Sequence, residues 1–257
     1  MKKIVFSDYD GTIYTDDGNT TNNVAAIKKW HAAGGKFVIA TGRGFTSAQD
    51  AAGEYGIPFD YCIMNNGALI ADSNWTLISE LTIDPPLAQE IAEFVQNNFA
   101  AQIEGLYYYG LGSKSHQPTG VITKIRVQTH GRNHEPMLRI AKALNHAFPD
   151  VIAHATLTDM YPLEQFPDAN YQIVDIVGAK AGKERSIQLI LERESLSPDD
   201  VITIGDGAND VEMLEQYDGY AIRGSMAAQM TTGKTVASLA DMLSTIENSY
   251  QGREESA

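Results

Sequence analysis

The sequence has few of the features that mark secreted, membrane or nucleic-acid-binding proteins. Cys62 is the one cysteine in 257 residues, so no disulfide can form within the chain. No apolar run approaches the roughly 20 residues that span a bilayer, and the run after Met1 is too short for a signal peptide. Basic residues are also scarce, because 19 Lys and Arg stand against 33 Asp and Glu, a formal charge of −14. We therefore expect a cytoplasmic protein that binds neither nucleic acid nor membrane.

The length and the apolar content of the chain are sufficient for a folded enzyme. With 257 residues, of which 43% are hydrophobic, the chain can bury one large core or two modest ones. Strands and helices first alternate, a pattern typical of βαβ units and a parallel sheet. Asp84-Pro85-Pro86 begins a predicted helix through about Asn98, after which strands dominate until the alternation resumes. We predict an α/β core over 1–83 and 179–257 and an inserted α+β domain over 84–178.

The first candidate site lies at the end of the first apolar strand, which leads into two acids. Asp8 and Asp10 are two residues apart, so in a strand their side chains point the same way. Two carboxylates in one small volume repel each other unless a cation lies between them, and Mg²⁺ takes oxygen ligands of this kind. Gly11 and Thr12 allow a tight turn and offer amide groups to an anion. The alternative interpretation is an acidic turn without a functional role.

A second apolar strand, far along the chain, also delivers acids into a glycine-rich turn. Asp206 and Asp210 flank this turn, and Asn209 lies within it. Ligands of open α/β sheets bind at the carboxyl ends of the strands. We therefore expect Asp206 and Asp210 to join the first acid pair around one ion.

Two further polar signals lie between the two acidic turns. The strand that ends at Ala40 is followed by Thr41, Gly42 and Arg43, which supply a hydroxyl, a flexible backbone and a guanidinium for an oxyanion. Lys183 opens the helix that leads to the second acidic turn. Each signal has a structural alternative, because Thr41 could cap the next helix and Lys183 could be a solvated surface lysine.

This ordered set of acid, hydroxyl, lysine and acid resembles the haloacid dehalogenase-like hydrolases. The four matching motifs are Asp8-Tyr9-Asp10-Gly11-Thr12, Thr41, Lys183, and Gly205-Asp206-Gly207-Ala208-Asn209-Asp210. The segments Ala40-Thr41-Gly42-Arg43 and Asn66-Gly67-Ala68 are similar to the Cof-type branch, mostly sugar-phosphate and related phosphatases with a large cap. Glu184 stands where that branch usually has glycine, and 221–225 depart from its usual pattern.

The resemblance implies a Rossmann-like parallel-sheet core with an inserted α+β cap domain, and a Mg²⁺-dependent phosphatase mechanism. Asp8 would attack phosphorus and form an aspartyl phosphate. Asp10 would protonate the leaving oxygen and then deprotonate the water that hydrolyses the intermediate. The Mg²⁺ ligands would be Asp8, the Asp10 backbone carbonyl and Asp206. The groups that would hold the phosphoryl oxygens are Thr41, Gly42, Lys183 and Asn209, and Asp210 would orient Lys183 or the waters on the metal.

The expected substrate is a small phosphorylated metabolite, with sugar phosphates the first candidates. A phosphosugar mutase, and a sensor that binds a phosphorylated ligand without turnover, are the alternative functions. Selectivity is expected to come from the inserted domain, where a strand is predicted over 121–128. Tyr107, Tyr109, Lys114 and His116 are the candidate contacts there, because they combine aromatic and basic groups beside flexible glycines. The sequence leaves the leaving group and the oligomeric state open.

Overall fold

The structure, a computed structural model, describes residues 3–16, 18–112, 114–118, 120–156 and 170–254, with side chains described as far as residue 248. Over these residues the strands are β1 (Ile4–Ser7), β2 (Lys36–Ala40), β3 (Tyr61–Met64), β4 (Leu69–Asp72), β5 (Leu77–Glu80), β6 (Ile103–Tyr109), β7 (Lys124–His130), β8 (Val151–Thr156), β9 (Tyr171–Gly178), β10 (Val201–Gly205), β11 (Asp218–Ile222) and β12 (Lys234–Val236). The α-helices are α1 (Thr20–Ala32), α2 (Phe45–Tyr55), α3 (Pro85–Phe99), α4 (His134–Ala147), α5 (Lys183–Glu194), α6 (Val211–Gln216), α7 (Met226–Met230) and α8 (Leu239–Glu254).

The main sheet has eight strands in the order β12-β11-β10-β1-β2-β3-β4-β5. The strands from β12 to β3 are parallel, and β4 and β5 add an antiparallel hairpin at one edge. The chain moves outward in one direction from β1 to β3 and in the other from β10 to β12. The strand order therefore reverses between β1 and β10, and such a reversal opens a crevice at the carboxyl ends of the strands.

Apolar side chains cover both faces of the main sheet and fix the position of β1. Val5 packs on one face in a cluster that includes Leu243 of α8. Ile4 and Phe6 pack on the other face with Ile187 of α5. A strand that is buried on both faces has a nearly continuous apolar sequence, as β1 does. The residues after β1 are thus held at the crevice by a rigid central strand.

An inserted unit lies between β5 and α5, and it has its own antiparallel sheet in the order β6-β7-β9-β8. Its apolar cluster includes Ile91 of α3 and Ile140 of α4 beside Ile125 and Val127 of β7. Together with the main sheet, this unit confirms the predicted fold class. The predicted start of the strand over 121–128 was wrong by three residues, because the Ile122 carbonyl accepts a hydrogen bond from the Ile83 amide in the connection from β5.

No helix in the described ranges is both long enough and apolar enough to cross a membrane.

Candidate active site

Asp8 lies at the carboxyl end of β1, inside the crevice. Its amide donates to the Ile204 carbonyl of β10 at 2.9 Å, which ties the loop after β1 to the adjacent strand. Its buried carboxylate accepts a hydrogen bond from Lys183 Nζ at 2.5 Å. Burial raises the pKa of Asp8 well above its ordinary value, although Lys183 acts to lower it. Asp8 is therefore a carboxylate in a poorly solvated setting with a cation as its partner.

Lys183 bridges two of the predicted acids. Its side chain is buried, and Nζ donates to Asp8 Oδ1 and to Asp210 Oδ1, each at 2.5 Å. Burial alone would lower the pKa of Lys183, but Asp210 and Asp8 outweigh burial and raise it. Lys183 is thus a charged residue at the centre of the site, and the alternative of a solvated surface lysine was wrong.

Asp210 shapes the turn that follows β10. Its second oxygen, Oδ2, accepts hydrogen bonds from the Asp206 amide at 3.1 Å and the Gly207 amide at 2.9 Å. Both carboxylate oxygens of Asp210 are therefore engaged by the protein, one by Lys183 and the other by the acidic turn.

Asp206 packs directly against the turn that follows Asp8. Its Oδ1 accepts a hydrogen bond from the Thr12 hydroxyl at 2.7 Å. Gly11 has a φ of 85°, and a Cβ at this position would overlap the Asp206 carboxylate. Burial and the nearby Asp210 raise the pKa of Asp206 to about 7. Glycine at position 11 therefore allows the two acidic turns to meet.

Asp8, Asp206 and Asp210 form an oxygen-rich cluster that fits a hard divalent cation. One carboxylate oxygen from each residue lies within 4.8 Å of the others. Burial is the main cause of the raised pKa values of Asp8 and Asp206, and the neighbouring carboxylates raise them further. A bound cation would favour the charged form of these acids. Carboxylate oxygens are the ligands that Mg²⁺ prefers, so the residues present fit this ion.

The Asp10 side chain is directed to Arg43 and does not belong to this cluster. Arg43 Nε donates to Asp10 Oδ2 at 2.9 Å, and Nη2 donates to Oδ1 at 2.7 Å. The guanidinium carbon also lies 4.6 Å from the centroid of the Tyr9 ring. Asp8 and Asp10 line one cavity, but their carboxylates have different partners, Lys183 for Asp8 and Arg43 for Asp10.

Thr41 and Gly42 form the loop after β2 that carries Arg43. The Thr41 hydroxyl accepts a hydrogen bond from the Arg43 amide at 3.1 Å. Helix α2 begins only at Phe45, with Gly44 as its N-cap, so Thr41 does not cap it. Gly42 lines the same cavity as the acids.

Asn209 meets a residue that sequence reasoning did not assign to the site. Its Nδ2 donates to Asn66 Oδ1 at 3.2 Å. Asn66 has the left-handed backbone angles φ 52° and ψ 36°, and its amide donates to the Thr41 carbonyl at 3.2 Å. Asn tolerates this conformation better than most residues, so Asn66-Gly67 was an available signal.

A cavity of about 820 Å³ joins the crevice to the inserted unit. The inserted unit contributes Tyr109, Lys124, Arg126, Ala155, Thr156, Tyr171, Ile173 and Asp175 to its lining. Tyr109 is the one lining residue among the four predicted contacts, because Lys114 and His116 instead pack on the ring of Tyr107. Sequence reasoning missed Lys124, Arg126 and Asp175, although charged residues that alternate with apolar ones in a strand were an available signal.

A sequence model of the haloacid dehalogenase-like hydrolases matches residues 5–226. The chain belongs to this family. The match includes all four motifs named above, and it confirms the predicted hydrolase class. A protein of Buchnera aphidicola that is provisionally named a phosphatase is 27% identical to this hydrolase over 236 residues, which cover 84% of each chain.

Solved structures share the fold of this hydrolase at low sequence identity. A Streptococcus mutans protein has a TM-score of 0.77 at 16% identity, with 98% of this chain and 100% of that chain covered. A haloacid dehalogenase-like hydrolase from B. subtilis has a TM-score of 0.74 at 16% identity, covering 94% and 99%. A subclass IIB sugar phosphatase has a TM-score of 0.72 at 16% identity, covering 96% and 98%.

Proposed function

We propose that this hydrolase is a Mg²⁺-dependent phosphatase that cleaves a small phosphate monoester through an aspartyl phosphate. The observation that carries the proposal is the setting of Asp8. Its carboxylate is buried at the carboxyl end of the central strand, bonded to Lys183 at 2.5 Å and open to the cavity. A carboxylate placed this way can act as a nucleophile toward an electrophile that the surrounding cations hold.

In the first step an Asp8 oxygen attacks phosphorus and the bond from phosphorus to the ester oxygen breaks. Asp10 transfers a proton to that leaving oxygen, and the alcohol departs. In the second step water attacks phosphorus and Asp10 takes the proton of that water. The bond from phosphorus to Asp8 then breaks, which releases inorganic phosphate and restores the Asp8 carboxylate. Asp10 lies beside Asp8 on the same turn and lines the same cavity, as these roles require.

The metal ligands would be Asp8, Asp206 and the Asp10 backbone carbonyl. When bound, Mg²⁺ would offset the repulsion between the Asp8 carboxylate and the substrate phosphate. Asp210 would keep Asp206 and Lys183 in position, because its two oxygens already bind the Asp206 amide and Lys183 Nζ.

The phosphoryl oxygens would be held by groups from three loops. The Lys183 ammonium and the Asn209 amide supply hydrogen-bond donors, and the Thr41 hydroxyl and the Gly42 amide supply two more. Arg43 lines the cavity and can also bind a phosphoryl oxygen. These donors give an acidic protein a local positive field for an anionic substrate.

The inserted unit, with the predicted bounds 84–178, would act as a cap domain over the crevice. A small molecule fits this arrangement, because cavities of about 300 to 1,000 Å³ are typical of small-molecule sites. The likeness in fold to a sugar phosphatase supports sugar phosphates as the first substrates to test. The charge of −14 supports an enzyme without a nucleic-acid partner. The single cysteine, Cys62, is in keeping with a cytoplasmic location.

A panel assay for phosphate release tests the proposal. The purified protein is incubated with Mg²⁺ and sugar phosphates, phosphorylated cofactors or nucleotides, and both inorganic phosphate and isomerised products are measured. Phosphate release from members of the panel is the expected result. Isomerised product without release would favour the mutase, whereas binding without either product would favour the sensor.

A further inference from the structure

We propose that the wall of the cavity formed by the inserted unit binds a second anionic group, a carboxylate or a phosphate, on the leaving group of the substrate. The wall consists of Tyr109, Lys124, Arg126 and Asp175, and we call it the basic wall. The inference rests on the proposed phosphatase function, because it concerns the part of the ester that leaves.

The alternation of side chains along β7 directs two residues of the basic wall, Lys124 and Arg126, toward the cavity. Lys124 and Arg126 are two residues apart and share one face of the strand. Ile125 and Val127 occupy the opposite face and pack in the apolar cluster with α3 and α4. The sheet of the inserted unit thus has an apolar face against its helices and a charged face in the cavity.

The basic wall carries one more positive charge than negative charge. Arg126 already forms a bidentate pair with Asp175, since Nε and Nη2 each donate to a carboxylate oxygen at 2.7 Å. Lys124 Nζ lies 3.3 Å from the same carboxylate and is almost wholly buried, with 1% of its side chain exposed. Burying an ion is costly unless its charge is matched, and among the described residues these two cations share one carboxylate. The unmatched charge lies in a cavity of a protein whose net charge is −14.

Arg126 is the residue of the basic wall that is placed to contact the ligand. Its bonds to Asp175 use Nε and Nη2 and leave Nη1 outside this pair. Over the described residues, Nη1 makes no hydrogen bond of its own. Its side chain is 21% exposed and lines the cavity. Lys124 is held more firmly, because Nζ donates to the Gly42 carbonyl at 2.7 Å and lies 4.7 Å from the centroid of the Tyr109 ring.

The two ends of the cavity therefore require different ligand groups. In the proposed function the phosphoryl group would bind at the crevice, where Asp8 and Asp206 would hold the metal. The basic wall takes a group of negative charge, because a guanidinium binds carboxylate and phosphate with paired hydrogen bonds. A neutral sugar would fill the space but would leave the positive charge of the wall unmatched.

Matched pairs of phosphate esters test this subsite. Sorbitol 6-phosphate and 6-phosphogluconate differ at one end, where a hydroxymethyl group replaces a carboxylate. Glucose 6-phosphate and glucose 1,6-bisphosphate differ by a second phosphate. We expect the wild type to hydrolyse the anionic member of at least one pair with about tenfold higher kcat/KM or more, and the preferred pair identifies the anion.

Three variants separate a charge effect from a structural effect. Arg126→Gln should reduce the ratio of kcat/KM within the preferred pair by about tenfold, whereas Arg126→Lys keeps the charge and should retain part of the ratio. Arg139→Gln, which removes an exposed arginine from α4, should leave the ratio unchanged. Thermal unfolding of each variant establishes that it is folded. A ratio near one in the wild type, or an equal ratio in Arg126→Gln, would overturn the proposal.

Hydrolysis of p-nitrophenyl phosphate separates this inference from the proposed function. If that ester is hydrolysed but no pair shows a preference, the subsite alone is refuted. If no ester is hydrolysed, the phosphatase proposal fails, and titration calorimetry with the same pairs tests the subsite directly. Tighter binding of the anionic member, lost in Arg126→Gln, would support the subsite, and equal binding would refute it.

Discussion

Arg43 donates a hydrogen bond to each carboxylate oxygen of Asp10, at 2.9 and 2.7 Å, while its guanidinium lies over the ring of Tyr9. Asp10 is the proposed proton donor, so Arg43 must shift before that carboxyl can serve the leaving oxygen. A substrate phosphate offers Arg43 another partner for charge-assisted hydrogen bonds. We therefore expect substrate binding to free Asp10 for proton transfer.

The first prediction concerns Asp10 as the acid and base. In Asp10→Asn, turnover of an alkyl phosphate should fall by about 10² to 10⁴, because its leaving oxygen requires a proton. p-Nitrophenolate is a stable leaving anion that needs no proton, so formation of the aspartyl phosphate from p-nitrophenyl phosphate should stay fast. Hydrolysis of that intermediate should become slow. Stopped-flow measurement should then show a burst of about one p-nitrophenolate per enzyme. Equal losses on both esters without a burst would contradict the assignment.

The second prediction concerns the nucleophile. Asp8→Asn should lower kcat by at least about a thousandfold with every ester, because the amide has the same shape but cannot attack phosphorus. The matched control is Asp150→Asn, which changes an exposed acid outside the cavity and should retain wild-type kcat. Circular dichroism should show that both variants are folded. Near-normal turnover in Asp8→Asn would rule out the aspartyl phosphate.

The third prediction concerns the metal. Chelation with EDTA should abolish activity and added Mg²⁺ should restore it, since uncompensated carboxylates repel the substrate phosphate. Asp206→Asn should raise the Mg²⁺ concentration for half-maximal activation by about tenfold or more, whereas exposed Asp199→Asn should not.

A readout that does not depend on activity accompanies this test. Mg²⁺ at about 100 times its Kd should stabilise the wild type by about 2.7 kcal/mol. Thermal unfolding should show this stabilisation in the wild type and a smaller one in Asp206→Asn. Full activity in EDTA, with no effect of Mg²⁺ on Tm, would exclude the metal site.

The fourth prediction uses the buried lysine of the basic wall. Burial lowers the pKa of Lys124 from 10.5 to about 8, although Asp175 acts to raise it. Between about pH 8 and 10.5 the unfolded chain binds this proton and the folded chain does not, so the free energy of unfolding rises with pH. The difference between the pKa values of the unfolded and folded chain corresponds to about 3 kcal/mol of stability. About 2 kcal/mol of this increase should be present by pH 9.5.

Urea unfolding at pH 7 and pH 9.5 measures this contribution as a difference between proteins. Between pH 7 and pH 9.5, the free energy of unfolding should increase by about 2 kcal/mol more in the wild type than in Lys124→Met. Lys142→Met, which removes an exposed lysine of α4, should follow the wild type. If Lys124→Met and the wild type change in parallel, Lys124 keeps an ordinary pKa.

The order of strands, turns and acids along the chain was sufficient to predict the α/β fold and the position of Asp8. An apolar strand that is buried on both faces has a recognisable local sequence, and β1 has it in Ile4-Val5-Phe6. Turns at the carboxyl ends of parallel strands lie at one edge of the sheet, whatever their separation in the chain. Asp8 and Asp206 could therefore be placed together although they are far apart in sequence.

The partners of these residues depended on tertiary structure. The pairing of Asp10 with Arg43 joins two loops, and neither loop sequence indicates whether the carboxylate turns to a metal or to the guanidinium. The shift of the predicted strand over 121–128 likewise came from a hydrogen bond between Ile122 and Ile83, which are distant in sequence.

The basic wall shows most clearly what local sequence determines and what tertiary structure decides. The sequence by itself determined that Lys124 and Arg126 share a strand face, because side chains alternate with a period of two. Only the tertiary structure placed β9 beside β7, with Arg126 opposite Asp175 in the register. Strand order and register follow from burial of the whole apolar face under α3 and α4, and that burial sums contacts from many distant residues. Local sequence therefore decided which groups are available, and the packing of the whole fold decided which of them meet.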